Sequence, residues 1–415
     1  MTKAIATKQE KAEKPLPKGW KQCKLGNVCD IVARQVDPKL PQYGALPHVN
    51  GENIEGGTCR LLYLRTAAEE GMTSGKYLFE SGNVLYSKLR PYLRKAIYVD
   101  FRGVCSADMY PLTVNSEVLD PHFLTWLLIS DEFTSYADAQ SRRARMPKLN
   151  REQLFDWDVL LPPLSEQQQI VTILNQQMAA VEQARAATLT QLAAAKALPA
   201  AYLRQVFDSP EAQTWKRKKL GDIALVSGGI QKTPNRSPHS FHRPYLTVRN
   251  VQRGWLDLSV IERFEITDLE LERCRLECGD LLIVEGNGSI DQIGRNAIYR
   301  GELGECIHQN HLIRVRLDQT KENPDFLSLY LNSELGKIQM IQKAMTTTGL
   351  HTLSVSKVQQ LAIPVVSLEK QNRIISHIKE KLTVATSLAK SLEDQLDEIA
   401  QLPTAILRQA FNGEL

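Results

Sequence analysis

The segment from Leu164 to Phe207 returns, at a fixed offset of 204, as the segment from Leu368 to Phe411. Leu164 answers Leu368, Gln167 answers Gln371, and Ile170-Val171 answers Ile374-Ile375. Leu198-Pro199 answers Leu402-Pro403, and Leu203-Arg204-Gln205-x-Phe207 answers Leu407-Arg408-Gln409-x-Phe411. A spacing held over so long a stretch marks an internal duplication. No other signal constrains the architecture as much, because both copies must be built as one kind of unit.

Each copy reads as a long helix. In the second, Ile374, Ile378, Leu382, Ala385, Ala389, Leu392, Leu396, Ile399 and Leu402 step by fours and threes, the spacing of a coiled-coil seam. In the first, Ile170, Leu174, Met178, Val181, Leu192, Ala195 and Leu198 keep a similar stripe. Pro162-Pro163 and Pro364 stop what precedes each copy, and Ser165 with Gln168 three residues on has the form of a capping box. Helices of this length would span about 66 Å, beyond an ordinary globular helix. Two core helices of one domain is the plainer reading; two helices pairing as a rod fits the length better. Pro199 and Pro403 are expected to kink or interrupt each rod near its end.

The echo continues outside the helices. Trp20-Lys21 with Leu25-Gly26 answers Trp215-Lys216 with Leu220-Gly221, and Pro47, Asn53-Ile54 and Gly57 answer Pro244, Asn250-Val251 and Gly254. Gly82-Asn83-Val84-Leu85 answers Gly279-Asp280-Leu281-Leu282, a turn entering a buried strand, and Pro121-x-Phe123-Leu124 answers Pro324-x-Phe326-Leu327. The expected plan is a disordered lead-in (1–18), a head (19–163), a long helix (164–207), a linker (208–214), a second head (215–366), a second long helix (367–411) and a short tail (412–415). Each head mixes short strands with short helices, an α+β reading. Two like heads on two antiparallel helices imply a pseudo-twofold molecule, suited to a partner with its own dyad, as duplex DNA has.

Composition excludes little else. At 415 residues, 43% apolar and 24% charged, the chain is an ordinary multidomain protein rather than a fibre or a disordered one. No apolar run reaches the roughly 18 residues of a membrane helix, and the N-terminus lacks an apolar signal core. Seven scattered cysteines fit reduced thiols and a cytoplasmic location. A net charge of +4 permits a polyanionic partner without announcing one, so clustering must decide.

The basic residues do cluster. In the first head, Lys88, Arg90, Arg94, Lys95 and Arg102 alternate with Tyr92 and Tyr98, and Arg142, Arg143, Arg145, Lys148 and Arg151 follow Tyr136. In the second, Lys232, Arg236, His239, His242, Arg243, Arg249 and Arg253 crowd one stretch. Such residues neutralise phosphates, and arginine also pairs with guanine; ordinary solvated charge is the competing reading. A Gly- and amide-rich loop adds Asn287, Ser289, Gln292 and Arg295, with Asn310 and His311 nearby, where amides can read adenine. Thr346-Thr347-Thr348 is a further polar loop. No Gly-Lys pair precedes Ser or Thr, so the phosphate-cradling P-loop signature is absent. Asn323-Pro324-Asp325-Phe326 departs from the amino-methyltransferase turn at its third residue and reads as a helix start. No Glu has a Lys two residues later, so the usual acidic nuclease pattern is missing. Cys274, Cys278, Cys306 and His308 are too irregularly spaced for a regular zinc site.

These pieces together resemble the specificity (S) subunit of type I restriction-modification systems. The resemblance covers nearly the whole chain after the lead-in. Its most specific parts are Pro162-Pro163-Leu164-x-Glu166-Gln167-x-x-Ile170-Val171, Leu407-Arg408-Gln409-Ala410-Phe411-Asn412-Gly413-Glu414-Leu415, and Ser87-Lys88-x-Arg90-Pro91-Tyr92-Leu93-x-Lys95. The second helix departs from the first opening motif, with Val365-Val366-Ser367-Leu368-Glu369-Lys370-Gln371. The resemblance implies a chain without chemistry of its own, whose two target-recognition domains each read half of a bipartite, asymmetric DNA site. The paired helices would set the gap and dock two methyltransferase (M) subunits, with surface such as Leu388 kept for partner helices. The partners would bring S-adenosylmethionine, and in the restriction complex the motor-nuclease (R) subunits would bring ATP and Mg; no cofactor would be bound by this chain. A coiled-coil adaptor whose heads bind protein is the alternative.

Overall fold

The computed structural model describes residues 19–141, 146–232, 242–286, 290–345 and 352–411. Two continuous helices, α1 (Leu164–Phe207) and α2 (Leu368–Phe411), are each 44 residues long. The chain divides into two compact units, 1–189 with 394–415 and 190–393, so each unit takes one head and part of both long helices.

In the first unit, a four-stranded antiparallel sheet runs in the order 96–98, 84–87, 109–114, 29–31. A five-stranded mixed sheet runs 35–36, 76–79, 103–105, 47–49, 65–66, with 103–105 and 47–49 parallel. A two-stranded ribbon pairs Lys21–Lys24 with Asp158–Leu161. The second unit repeats the plan: an antiparallel sheet in the order 296–298, 281–284, 312–317, 224–228, a parallel pair of 242–246 with 307–308, and a ribbon of Lys216–Lys219 with Ala362–Val365. The central strands Val84–Ser87 and Leu281–Val284 are buried at every position, so their near-unbroken apolar runs suit a strand covered on both faces. Lys216-Arg217-Lys218-Lys219 is exposed throughout, the charge a two-stranded edge carries against further pairing.

Residues shared by the two copies hold equivalent joints. Gln167 and Gln371 are fully buried. The Gln167 side-chain carbonyl accepts the Asp120 N–H (2.9 Å) while its amide donates to Val118 and Pro162 carbonyls (both 2.9 Å). Gln371 accepts the Asn323 N–H (2.8 Å) and donates to the Val366 carbonyl (3.0 Å) and Glu322 (2.7 Å). Each glutamine thereby ties the start of a long helix to the residue that caps a head helix. Asp120 and Asn323 are those caps, with Pro121 and Pro324 at the first helical turn, so Asn323-Pro324-Asp325-Phe326 is a helix start.

The far ends of the helices serve the opposite head. Leu407 and Ala410 of α2 join the first head's core with Ile170, Val171 and Leu174 of α1, and Phe411 meets Phe123 edge-on at 5.6 Å. Leu203 and Phe207 of α1 join the second head's core with Ile375 and Ile378 of α2, and Phe207 meets Phe326 edge-on at 5.5 Å. Within each unit the start of one long helix therefore packs with the end of the other, which makes the pair antiparallel.

Three expectations change. Of the kink or interruption expected at Pro199 and Pro403, the interruption does not occur: both helices run on, because the turns beyond each proline are held by core residues such as Leu203 and Leu407. α1 begins at Leu164, which puts Ser165 inside the helix; Gln167, not a serine cap, anchors its first turn. Ala385, Leu392 and Ile399 are buried as the seam requires, but Leu402 is 43% exposed because the last turns of α2 face the first head's core through Leu407 and Ala410. Leu388 is exposed as expected.

Candidate nucleic-acid interface

In the first head the chain leaves the buried strand Val84–Ser87 and forms an arch from Lys88 to Lys95. Arg90 and Arg94, both at φ 50°, flank the short turn Pro91–Leu93. A side-chain-bearing residue in this left-handed region costs roughly 1–3 kcal/mol, so its surroundings must hold it. They do so through backbone hydrogen bonds. The Arg90 N–H donates to the Pro147 carbonyl (2.9 Å), the Leu149 N–H to the Lys88 carbonyl (3.0 Å), and the Gly57 N–H to the Arg94 carbonyl (2.9 Å). Gly56 is needed here, since a Cβ on it would lie 2.5 Å from the Leu93 carbonyl oxygen. Leu89 and Lys148 form an antiparallel bridge, which brings two basic segments far apart in sequence onto one edge.

That edge sorts the expected residues. Arg90, Tyr92 and Lys148 are exposed, and neither cation is in an ion pair among the described residues. Such cations can neutralise a phosphate without first giving up a protein carboxylate. Lys88 does not present its ammonium to the surface: it is buried, donates to the Ala107 carbonyl and sits 5.0 Å from the Tyr110 ring centroid. Burial, with Lys148 nearby, pushes its pKa down. Arg94 is paired with Asp131 at 2.6 Å. Lys95 donates to the Gly51 carbonyl, Arg102 pairs with Glu80 at 3.1 Å, and Arg151 with Asp30 at 2.7 Å. Arg142, Arg143 and Arg145 lie outside the described residues.

In the second head, Val251 and Leu256 close a tight hairpin, with Gly254 at φ 87° and the Gln252 N–H donating to the Trp255 carbonyl (3.0 Å). The Gly254 N–H donates to the Asn296 carbonyl (2.8 Å), the counterpart of the Gly57 bond in the first head. Arg295 locks this hairpin from the other side, donating to Gln252 and to the Val248 carbonyl at 3.2 Å each. Its guanidinium is thus committed internally, and burial pushes its pKa down. Val248 N–H donates to the Gln309 side chain (3.3 Å), and His311 contacts Glu285 at 2.9 Å. Arg249, Gln252, Arg295 and His311 are brought to one region by these contacts. Arg249 is exposed and in no ion pair among the described residues. Gln292 and Asn310 are half-buried, and the Asn310 N–H is taken by the Ile230 carbonyl (3.0 Å). Lys232 pairs with Glu262 at 3.1 Å and Arg243 with Glu305 at 3.0 Å. Arg236, His239, Asn287, Ser289 and the run Thr346-Thr347-Thr348 lie outside the described residues.

Trp255, 58% exposed at the tip of this hairpin, was not singled out from sequence. Its only sequence signal is an aromatic after a glycine in a basic loop. The asparagines that precede these hairpins, Asn53 and Asn250, are buried and close equivalent turns, accepting from the Asn50 N–H (2.7 Å) and the Thr247 N–H (2.9 Å).

Cys274, Cys306 and His308 form no metal centre of this interface. Both thiols are buried, and the His308 Nδ1 lies 3.3 Å from the Cys274 carbonyl. Among the described residues no group of three or more His, Cys, Asp or Glu side chains is placed to hold a metal ion. No described helix is long and apolar enough to cross a membrane.

The comparisons with known proteins agree with this construction. A model of the type I restriction modification DNA specificity domain matches residues 17–191. The EcoDI type I restriction enzyme specificity subunit of Escherichia coli is 33% identical over 213 residues, 51% of this chain and 46% of that protein. The alignment thus spans about half the length of that relative. The StySPI specificity subunit of Salmonella potsdam is 22% identical over 96% of this chain and 90% of its own. A chain solved in a study of complex assembly and conformational transition of the type I R-M system has the same fold, with a TM-score of 0.73 at 22% identity over 97% of this chain and 100% of its own. The chain is thus similar in sequence to type I restriction enzyme specificity subunits, and its duplicated heads on two long helices are the fold of the solved chain.

Proposed function

We propose that this chain is the DNA-reading subunit of a type I restriction-modification complex. Each head reads one half of a bipartite, asymmetric site in double-stranded DNA. The long helices set the gap between the halves and dock two methyltransferase (M) subunits, with exposed apolar residues such as Val384 and Leu388 available to partner helices. The observation that carries this reading is the edge of the first head, where Arg90, Tyr92 and Lys148 are exposed together and the two cations are unpaired among the described residues. Arg249 and Trp255 occupy the hairpin region of the second head and are the matching candidates there. In this reading Arg142, Arg143, Arg145, Arg236, His239, Asn287, Ser289, Gln292, Asn310 and His311 supply further contacts, while Lys88, Arg94 and Arg295 support the surface from within and exposed Lys232 is held by Glu262.

The chain itself carries out no chemistry in this proposal and works in the cytoplasm. S-adenosylmethionine belongs to the M subunits, and ATP and Mg to the motor-nuclease (R) subunits. The test is genome-wide adenine methylation mapping in a host that makes a cognate M subunit, with and without this chain. A split, asymmetric motif that depends on the chain is the expected result. An assembled complex that directs no new motif would refute the reading and favour a coiled-coil adaptor whose heads bind protein. Salt separates these two as well, since phosphate neutralisation makes the logarithm of affinity fall linearly with log salt.

A further inference from the structure

Arg94 lies in the basic run of the first head, yet its guanidinium turns away from a reading role. Its Nη2 meets Asp131 Oδ1 at 2.6 Å. The other oxygen of the same carboxylate, Oδ2, accepts from Arg408 Nε (3.1 Å) and Nη2 (3.0 Å), near the end of α2. One carboxylate therefore bridges the base of the arch and the long helix. Asp131 also opens the helix Asp131–Ser141, where a negative charge faces the positive end of the helix dipole. Partial burial works against its ionisation, but the two guanidiniums outweigh that and hold its pKa below the usual carboxylate range.

The bridge bears on the arch because Arg94 is one of its two strained corners. The other corner, Arg90, carries the exposed side chain and is followed by exposed Tyr92. Between the corners the chain has only one short turn, Pro91–Leu93, so a displacement of Arg94 is passed to Arg90 with little slack. The Gly57 N–H on the Arg94 carbonyl fixes the same residue from its backbone side.

We propose that Arg94 is a positioning residue: through Asp131 and Arg408 it locks the reading edge of the first head to the end of α2. The lock sets the register between this head and the spacer helix rather than the bases that the head prefers. This inference rests on the proposed DNA-reading function and deepens it.

The experiment is methylation mapping with the full chain and its cognate M subunit, comparing wild type, Arg408→Ala, Asp131→Asn and Arg408→Lys. Arg408 is 63% exposed at its side chain, so its truncation leaves the core intact. In Arg408→Ala and Asp131→Asn, sites whose gap differs by one base pair should gain methylation by about two- to fivefold, the weight of a partly exposed charge pair. The sequences of both half-sites should stay unchanged, and Arg408→Lys, which keeps the charge, should return towards wild type. Unchanged gap selectivity in both variants would overturn the inference alone, as would relaxed base preference in the first half-site at a constant gap. A wild-type complex that directs no split motif would instead overturn the DNA-reading function, and this inference with it.

Discussion

At the scale of single residues, the structure distinguishes charges that face outward from charges used internally. His308 belongs to the second kind: fully buried, with Nε2 lacking a hydrogen-bond partner among the described residues. Burial, and then the cations of Arg314 and Arg316, push its pKa down from 6.5 to about 3. The folded chain therefore keeps the ring neutral where the unfolded chain would take a proton. Above the unfolded value the site leaves stability independent of pH. As pH falls from 6.5 towards 3, it costs up to about 1.4 kcal/mol per pH unit. Urea unfolding of the second unit's core at stepped pH should show this slope in wild type and lose it in His308→Leu. An equal slope in the variant would mean that other groups bind the proton.

At the scale of elements, the buried glutamines are the joints that the duplication preserves. Gln167→Leu removes the acceptor of the Asp120 N–H and the donor to two carbonyls, leaving buried polar groups unsatisfied. Gln371→Leu does the same to the Asn323 N–H and the Val366 carbonyl. Each substitution should lower stability by roughly 2–3 kcal/mol, measured by denaturant unfolding. A loss below about 0.5 kcal/mol, the range of ordinary surface changes, would show that the joint is dispensable. The two prolines make a contrasting point about elements. Each costs its helix a backbone hydrogen bond, yet neither ends it, because tertiary packing of the following turns outweighs the local penalty.

At the scale of the whole molecule, the proposed function gives each head its own half-site. Arg90→Ala should weaken recognition of one half-site and Arg249→Ala that of the other, each by about 1–3 kcal/mol if the side chain meets a base. If it meets a phosphate, the loss should be uniform across sequences and the salt slope should fall by about one. Binding titrations against DNA with one half-site scrambled at a time would decide this. Equal losses at both halves from either variant would contradict separate reading by the heads.

The duplicated plan, the two long helices and the equivalent buried strands were legible in the sequence, because they rest on periodicity and on spacing shared between copies. It also located the basic loops, including Arg90, Lys148 and Arg249. Which charges remain outward was legible only after folding. Lys88 turned inward to the Ala107 carbonyl, Arg94 joined Asp131, and Arg295 braced the hairpin that exposes Trp255. Only the tertiary structure also showed that each helix end completes the head of the other copy, through Phe411 on Phe123 and Phe207 on Phe326. The physical reason is the range of the interactions. Helix and strand patterns are set by neighbours in sequence, whereas the partner of a charge or an aromatic ring is set by residues that folding alone brings near.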